Sequence, residues 1–484
     1  MSELSQLSPQ PLWDFFAKIC SIPHPSYHEE ALAAYIVNWA KEQQFWCERD
    51  ATGNILIRKP ATSGMENRKP VALQAHLDMV PQKNNATDHD FTRDPIQPWI
   101  DGEWLKARGT TLGADNGIGM ASALAVLADP LVEHGPLEVL LTMTEEAGME
   151  GAFGLQPDWL QAEILINTDS EEEGEVYMGC AGGIDFHSEL PLTREAVPTD
   201  DQIIEISLKG LRGGHSGADI HLGLGNATKL LARFFAEYNH LDLRLIDFKG
   251  GNLRNAIPRE ANAVIAVSAQ QTEQLHQSLN EYLLILQNEV APKDKKVTLE
   301  AQTTELRGQA LTRDSRDRFI NLLNVTPNGV IRNSDVAPGV VETSLNIGIV
   351  TLEENQAHIY CLIRSLIDSG KDYVVSMLHS LGVLAGAKTK ASGSYPGWQP
   401  DADSAIMALT REIYLELFGK KPNIQVIHAG LECGLFRKPY PHLDMVSIGP
   451  TITGPHSPDE QVHIGSVGLY WQLLTALLKA VPSK

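Results

Sequence analysis

Cysteine is scarce in this chain: five residues among 484, odd in number, scattered at positions 20, 47, 180, 361 and 433 and without a CxxC pair. That scarcity excludes a disulfide framework and a thiolate zinc site, and it fits a reducing compartment. Long apolar runs are missing as well. No segment approaches the roughly 18 apolar residues of a membrane span, and the opening MSELSQLSPQPLWDFFAKIC lacks a basic stretch leading into an apolar one, so neither anchoring nor export is expected. The cytoplasm is the expected location. Positive charge is also short, with 39 Lys and Arg against 61 Asp and Glu and a formal net charge of -22. Nucleic-acid backbones and anionic membranes would be repelled at the encounter stage, which leaves small solutes as the expected partners.

What is present is an ordinary globular composition, 43% hydrophobic, in a chain longer than the roughly 250–300 residues at which single cores stop growing. Two or more domains are therefore expected. The first third alternates helical stretches (10–20, 28–44, 117–127) with short apolar strands at Asn54–Ile57, Val71–Ala75, Leu137–Met143 and Ile164–Asn167, the pattern of an α/β sheet. From about residue 187 the strands become more charged, as in Gln202–Lys209, and a strand, strand, helix pattern at Leu243–Gln287 recurs at Glu342–Leu384. Helix and strand alternation resumes near Ala391. The expected division is residues 1–186 and 391–484 for one α/β domain, with 187–390 inserted as a second.

Chemistry-bearing residues gather at strand ends. Val71–Asp78 is an apolar strand closing on His76-x-Asp78, and a period of two puts both side chains on one face. Leu137–Glu146 ends in the pair Glu145-Glu146, and Ile164–Asp169 ends in Asp169. In open α/β sheets ligands bind at the carboxyl ends of the strands, so residues far apart in sequence can converge there. Asp115, in GTTLGADNG, stands where a glycine-rich loop turns into a helix. Each of these residues alone is explained by a cap, a turn or a solvated end. Together, so many carboxylates at one edge would repel one another unless cations or shifted protonation compensated. One histidine among carboxylates suits zinc or manganese better than calcium.

The segments HLDMV, GTTLGADNG, TMTEEAGMEGA, NTDSEE, GLRGGHSG, RNAIP and GPHSPDE, in that order, resemble the motifs of the M20 metallopeptidase family. The resemblance implies a zinc-peptidase catalytic domain, with a central mixed sheet flanked by helices, and an inserted α+β lid domain. It implies two zinc ions per chain, replaceable by manganese or cobalt: His76 and Asp169 on one, Glu146 and His456 on the other, Asp115 bridging, and a cis peptide after Asp115. Asp78 would orient His76, and Glu145 would be the general base. His215 would stabilise the oxyanion, while Asn255 and Arg364 would hold the substrate's terminal carboxylate. The implied activity is hydrolysis of unblocked dipeptides, Xaa-His included, by a homodimer. Glu432, in HAGLEC, falls near the implied substrate pocket with its role open.

Rival readings are weaker. Ser216, in GHSGA, lacks the second glycine of a nucleophile elbow, and Cys433 near His428 has no partner acid for thiol chemistry. A binding protein that had lost its chemistry would not be expected to retain both Asp78 and Glu145. An N-acyl amino acid deacylase or a carboxypeptidase would use the same metals and base, and differ only in the pocket.

Overall fold

The structure is a computed structural model that describes residues 3–83, 87–290, 292–305, 308–335 and 339–484. The chain divides into two compact units, the first made of residues 1–179, 400–426 and 431–484 and the second of 180–399 and 427–430. No helix of the described residues is long and apolar enough to cross a membrane.

The first unit is built on an eight-stranded mixed sheet. Four parallel strands form its centre, in the spatial order Leu137–Thr142, Val71–His76, Ile164–Asn167 and Asp444–Ser447. The three from the first half of the chain are buried along their whole length, which is why they read as near-continuous apolar runs rather than as alternating ones. Antiparallel strands such as Ile55–Lys59 flank this centre. Helices Gln10–Cys20, Glu30–Glu42, Ala114–Ala128 and Ile464–Ala480 contribute apolar faces to a single core that includes Trp13, Phe16 and Tyr470. Because the four central strands run the same way, the loops that follow them emerge at one edge.

Helix Ala114–Ala128 is buried from Ala114 to Leu127, with small residues interspersed among Ile118, Met120 and Leu124. Its first turn is irregular: Asp115 and Asn116 depart from helical geometry, and the peptide between them is cis, as the family resemblance implies. At Gly119 the helix packs tightly on the loop carrying Asp169. A Cβ there would stand 2.4 Å from Thr168 Oγ1 and 2.7 Å from the Thr168 carbonyl oxygen.

The second unit holds a nine-stranded antiparallel sheet. Helices Ala227–Glu237, Thr272–Glu289, Arg313–Val325 and Asp368–Ala385 pack with it around a separate core. The recurring strand, strand, helix pattern is visible as Arg244–Gly250, Ala261–Val267 and Thr272–Glu289, then Val341–Leu352, Gln356–Ser365 and Asp368–Ala385. The first strands of the two sets lie side by side, antiparallel. The architecture is α/β with a mixed central sheet, as the sequence led us to expect, and the second unit mixes helices with an antiparallel sheet.

Gly119→Ala tests the close approach of helix and loop. In an ordinary helix this change gains up to about 1 kcal/mol, whereas here overpacking against a backbone carbonyl should cost about 1–3 kcal/mol. Urea unfolding should show a lower midpoint at unchanged slope; a raised midpoint would contradict the packing described.

Candidate metal centre

Three strand ends, one helix start and one late loop deliver the residues that meet at the edge of the first unit's sheet. His76 closes its strand, 1% exposed, and its two nitrogens face different ways. Nδ1 lies 3.0 Å from the Asp78 carbonyl oxygen and 3.3 Å from Asp78 Oδ1, so the ring proton belongs on that side. Nε2 faces the carboxylates, with Asp115 Oδ1 at 3.2 Å and Asp169 Oδ1 at 3.3 Å. The other oxygen of Asp115, Oδ2, lies 3.1 Å from His456 Nε2. His456 Nε2 in turn lies 3.1 and 3.0 Å from the two carboxyl oxygens of Glu146. His76, Asp115 and Glu146 offer donor atoms that all lie within 4.8 Å of one another.

Backbone donors fix this geometry. Asp78 is buried and accepts from the amides of Glu145 (2.8 Å) and Glu146 (3.1 Å) and from Ser26 Oγ (2.7 Å). One carboxylate thus both orients His76 and clamps the turn that carries the paired glutamates. That turn departs from its strand through Thr144 in the left-handed region (φ 53°), whose amide and hydroxyl both donate to the buried Glu29. On the other side, Glu460 accepts from the amides of Leu112, Gly113 and Asp115, and so holds the loop that presents Asp115. Asn116 Nδ2 donates to Asp169 Oδ1 at 2.5 Å.

Charge in this space is far from its solution state. Burial pushes the carboxyls of Glu145, Glu146 and Asp169 upward, Glu146 to about 8 with neighbouring Asp115 adding to the effect. For Asp115 burial acts in the same direction, but hydrogen bonds from His456 and His76 outweigh it and hold the group below the ordinary carboxylate range. Burial opposes a charge on both imidazoles, yet the surrounding acids win: His76 is raised well above its usual value and His456 to about 11. The arrangement stabilises positive charge on either side of Asp115.

Beneath the cluster runs a buried polar chain across the four central strands. Ser447 Oγ donates to Asn167 Oδ1, Asn167 Nδ2 to Gln74 Oε1, and Gln74 Nε2 to Glu432 Oε2, at 2.5 to 2.6 Å. Thr142 Oγ1 donates to the same Glu432 oxygen at 2.7 Å. Glu432 is 0% exposed, and burial pushes its carboxyl up to about 8. It belongs to this supporting layer.

The seven residues picked from strand ends and motifs, His76, Asp78, Asp115, Glu145, Glu146, Asp169 and His456, thus come together in one unit. Sequence reasoning names Glu432 without a role and does not anticipate Glu460, Asn116, Glu29 or Gln74 as supports. Glu460 and Asn116 lie within the motifs GPHSPDE and GTTLGADNG; Glu29 and Gln74 depend on contacts between elements that sequence does not display. His215, Asn255 and Arg364 lie in the second unit. There His215 pairs with Ala256 in a two-residue ladder, and the Asn255 carbonyl accepts from the Ser216 amide at 2.8 Å. The amides of Gly217 and Ala218 both donate to His215 Nδ1, which leaves the proton of the neutral ring on Nε2. Arg364 is 5% exposed and adjoins Gly217, where a Cβ would stand 2.9 Å from its Nε.

Residues 72–480 match peptidase family M20/M25/M40. The chain is 74% identical over 485 residues to the cytosol non-specific dipeptidase of Escherichia coli (strain K12), with 100% of each covered. The crystal structure of aminoacylhistidine dipeptidase from Vibrio alginolyticus superposes with a TM-score of 0.88 at 60% identity, covering 100% of this chain and 99% of that one. An aminopeptidase from Bacillus cereus shares the fold at a TM-score of 0.62 and 15% identity, over 98% of this chain and 99% of the other.

Removing the Asp78 carboxylate should loosen both His76 and the glutamate turn. We expect Asp78→Ala to weaken divalent-metal affinity about 10–100-fold in competition with a chromophoric chelator; affinity equal to the parent's would show that Asp78 does not organise the centre.

Proposed function

The chain belongs to peptidase family M20, and on that premise we propose that it is a di-zinc dipeptidase of broad specificity, cutting unblocked dipeptides, Xaa-His among them, with Glu145 as general base. The observation that carries the reading is the position of Asp115, whose two oxygens face the Nε2 atoms of two different histidines. A carboxylate flanked in that way fits the bridge between two metal ions. The donor set of two imidazoles and three carboxylates, without thiolates, suits zinc in an open hydrolytic site. His76 and Asp169 would hold one ion, Glu146 and His456 the other, with Asp115 shared. Bound zinc would supply Lewis acidity toward the scissile carbonyl and toward water.

The chain's own groups account for the proton movements. Glu145 neighbours Glu146, and Asp78 accepts from both their amides, so the pair is held as a turn in which one carboxylate ligates while the other handles a proton. Burial raises the affinity of Glu145 for a proton, which suits a group that takes one from water and returns it to the leaving amine. His215, with its proton directed to Nε2 by the Gly217 and Ala218 amides, is a ready donor for a developing oxyanion. Asn255 and Arg364 are assigned to the substrate's terminal carboxylate, for which a guanidinium offers bidentate pairing. Substrate choice is supported by the similarity, along the whole chain, to relatives named as dipeptidases, at 74% and 60% identity. A cytoplasmic location and a homodimer belong to the same reading, the latter testable by light scattering.

The decisive assay compares Xaa-His dipeptides, tripeptides and N-acetyl amino acids, with and without chelator. Dipeptides should be cut, and chelator should abolish the activity; activity confined to acylated amino acids, or insensitive to chelator, would overturn the reading. Glu145→Gln should lower kcat by about 10²–10⁴ while elemental analysis still finds both metals. Loss of metal in that variant would mean that Glu145 and Glu146 have exchanged roles.

A further inference from the structure

In the second unit, three residues from three strands stand in a row across the sheet. Tyr395 is the register partner of Gly183, and Gly183 is the register partner of Arg364. Register partners share a face, so the side chains of Tyr395 and Arg364 are directed to the same side with a glycine between them. Tyr395 crosses that gap and accepts a hydrogen bond from Arg364 Nη1 at 3.1 Å. Only the missing side chain permits this: a Cβ at residue 183 would fall 2.5 Å from the Tyr395 hydroxyl oxygen and 2.6 Å from Cζ. Gly430 makes room beside the same ring, since a Cβ there would stand 3.2 Å from Cε2. The tyrosine backbone is anchored too, its carbonyl accepting from the Nζ of Lys371, a lysine 3% exposed.

Arg364 is buried, and its Nε has no hydrogen-bond partner among the described residues. The next residue in the row, Ser344, is hydrogen-bonded to His428 Nε2 at 2.8 Å. Burial, with the Arg364 charge adding to it, lowers His428 to about 3, so the imidazole contributes no competing charge near neutral pH. A long, flexible guanidinium is thereby held to one orientation before any anion arrives, which reduces what binding must spend on ordering it.

We propose that Tyr395 is the positioning residue for Arg364: reaching over Gly183, it fixes the guanidinium for the substrate's terminal carboxylate and so sets the preference for dipeptides with a free C-terminus. This rests on the assignment of Arg364 made above. Gly183 is part of the device, because any side chain there displaces the tyrosine ring.

The test measures steady-state kinetics on a dipeptide and on its C-terminal amide, with the metal-loaded full-length protein. Tyr395→Phe removes one oxygen and should raise KM for the free acid about tenfold, the loss expected for a hydrogen bond to a charged group, with kcat within twofold and the amide unaffected. Gly183→Ala should give the same pattern, and the double variant should be no worse than either single one. Equal effects on acid and amide, or a fall in kcat at constant KM, would overturn the proposal. Arg364→Ala separates the premise from the inference: if it fails to discriminate acid from amide, the arginine assignment itself falls. If it discriminates and Tyr395→Phe does not, only the role of Tyr395 is lost. Should Gly183→Ala fail to fold, the tyrosine variant decides alone.

Discussion

Like charges placed together out of water must find a counter-charge, and the first unit is organised around that necessity. Asp115, Glu146 and Asp169 crowd two imidazoles at the edge of the central sheet, and every titrating group among them is displaced from its solution value. Two opposed causes set the directions: burial raises Glu146 and Asp169, while pairing with the imidazoles lowers Asp115 and pairing with the acids raises His76 and His456. Family membership gives this cluster its context, since M20 peptidases are metalloenzymes.

Such crowding persists only if the backbone is held firmly, and the supports are themselves carboxylates. Asp78, Glu29 and Glu460 each accept from backbone amides, so that the turn after one strand, the bend before it and the loop ahead of Asp115 are all fastened by charge-assisted hydrogen bonds. The buried Ser447, Asn167, Gln74, Thr142 and Glu432 chain adds a tier below, linking the four parallel strands through side chains as well as through their ladder. Removing one member of such a network leaves several polar groups unsatisfied.

The legible part of the molecule was the part written locally. Val71–His76, Leu137–Thr142 and Ile164–Asn167 are short buried strands whose composition and length declare them, and their terminal residues declare the edge. Helix boundaries drifted by a few residues where capping was weak: Glu30–Glu42 is shorter than the stretch 28–44, and Ala114–Ala128 begins three residues before Gly117, through an irregular turn that no periodicity reveals. His456 was recognisable only through the family motifs, because nothing in the sequence brings residue 456 near residue 115. Glu460 and Asn116 lie inside recognised motifs, but their partners, the 112–115 loop amides and Asp169, are far away in sequence and so gave no hint of a supporting role. The Tyr395, Gly183 and Arg364 row was harder still, since it depends on the register of three strands, one of which slips between Ser392 and Tyr395.

The contact between Asp115 and His456 spans 341 residues of chain. His456 follows the second unit along the chain, so that whole unit is made between the acids of the first three strand ends and the imidazole that faces them. For most of its synthesis the growing chain therefore carries the acidic edge without the imidazole that closes it. A product interrupted anywhere before that loop would bear Asp115 and Glu146 without the imidazole that faces both of them.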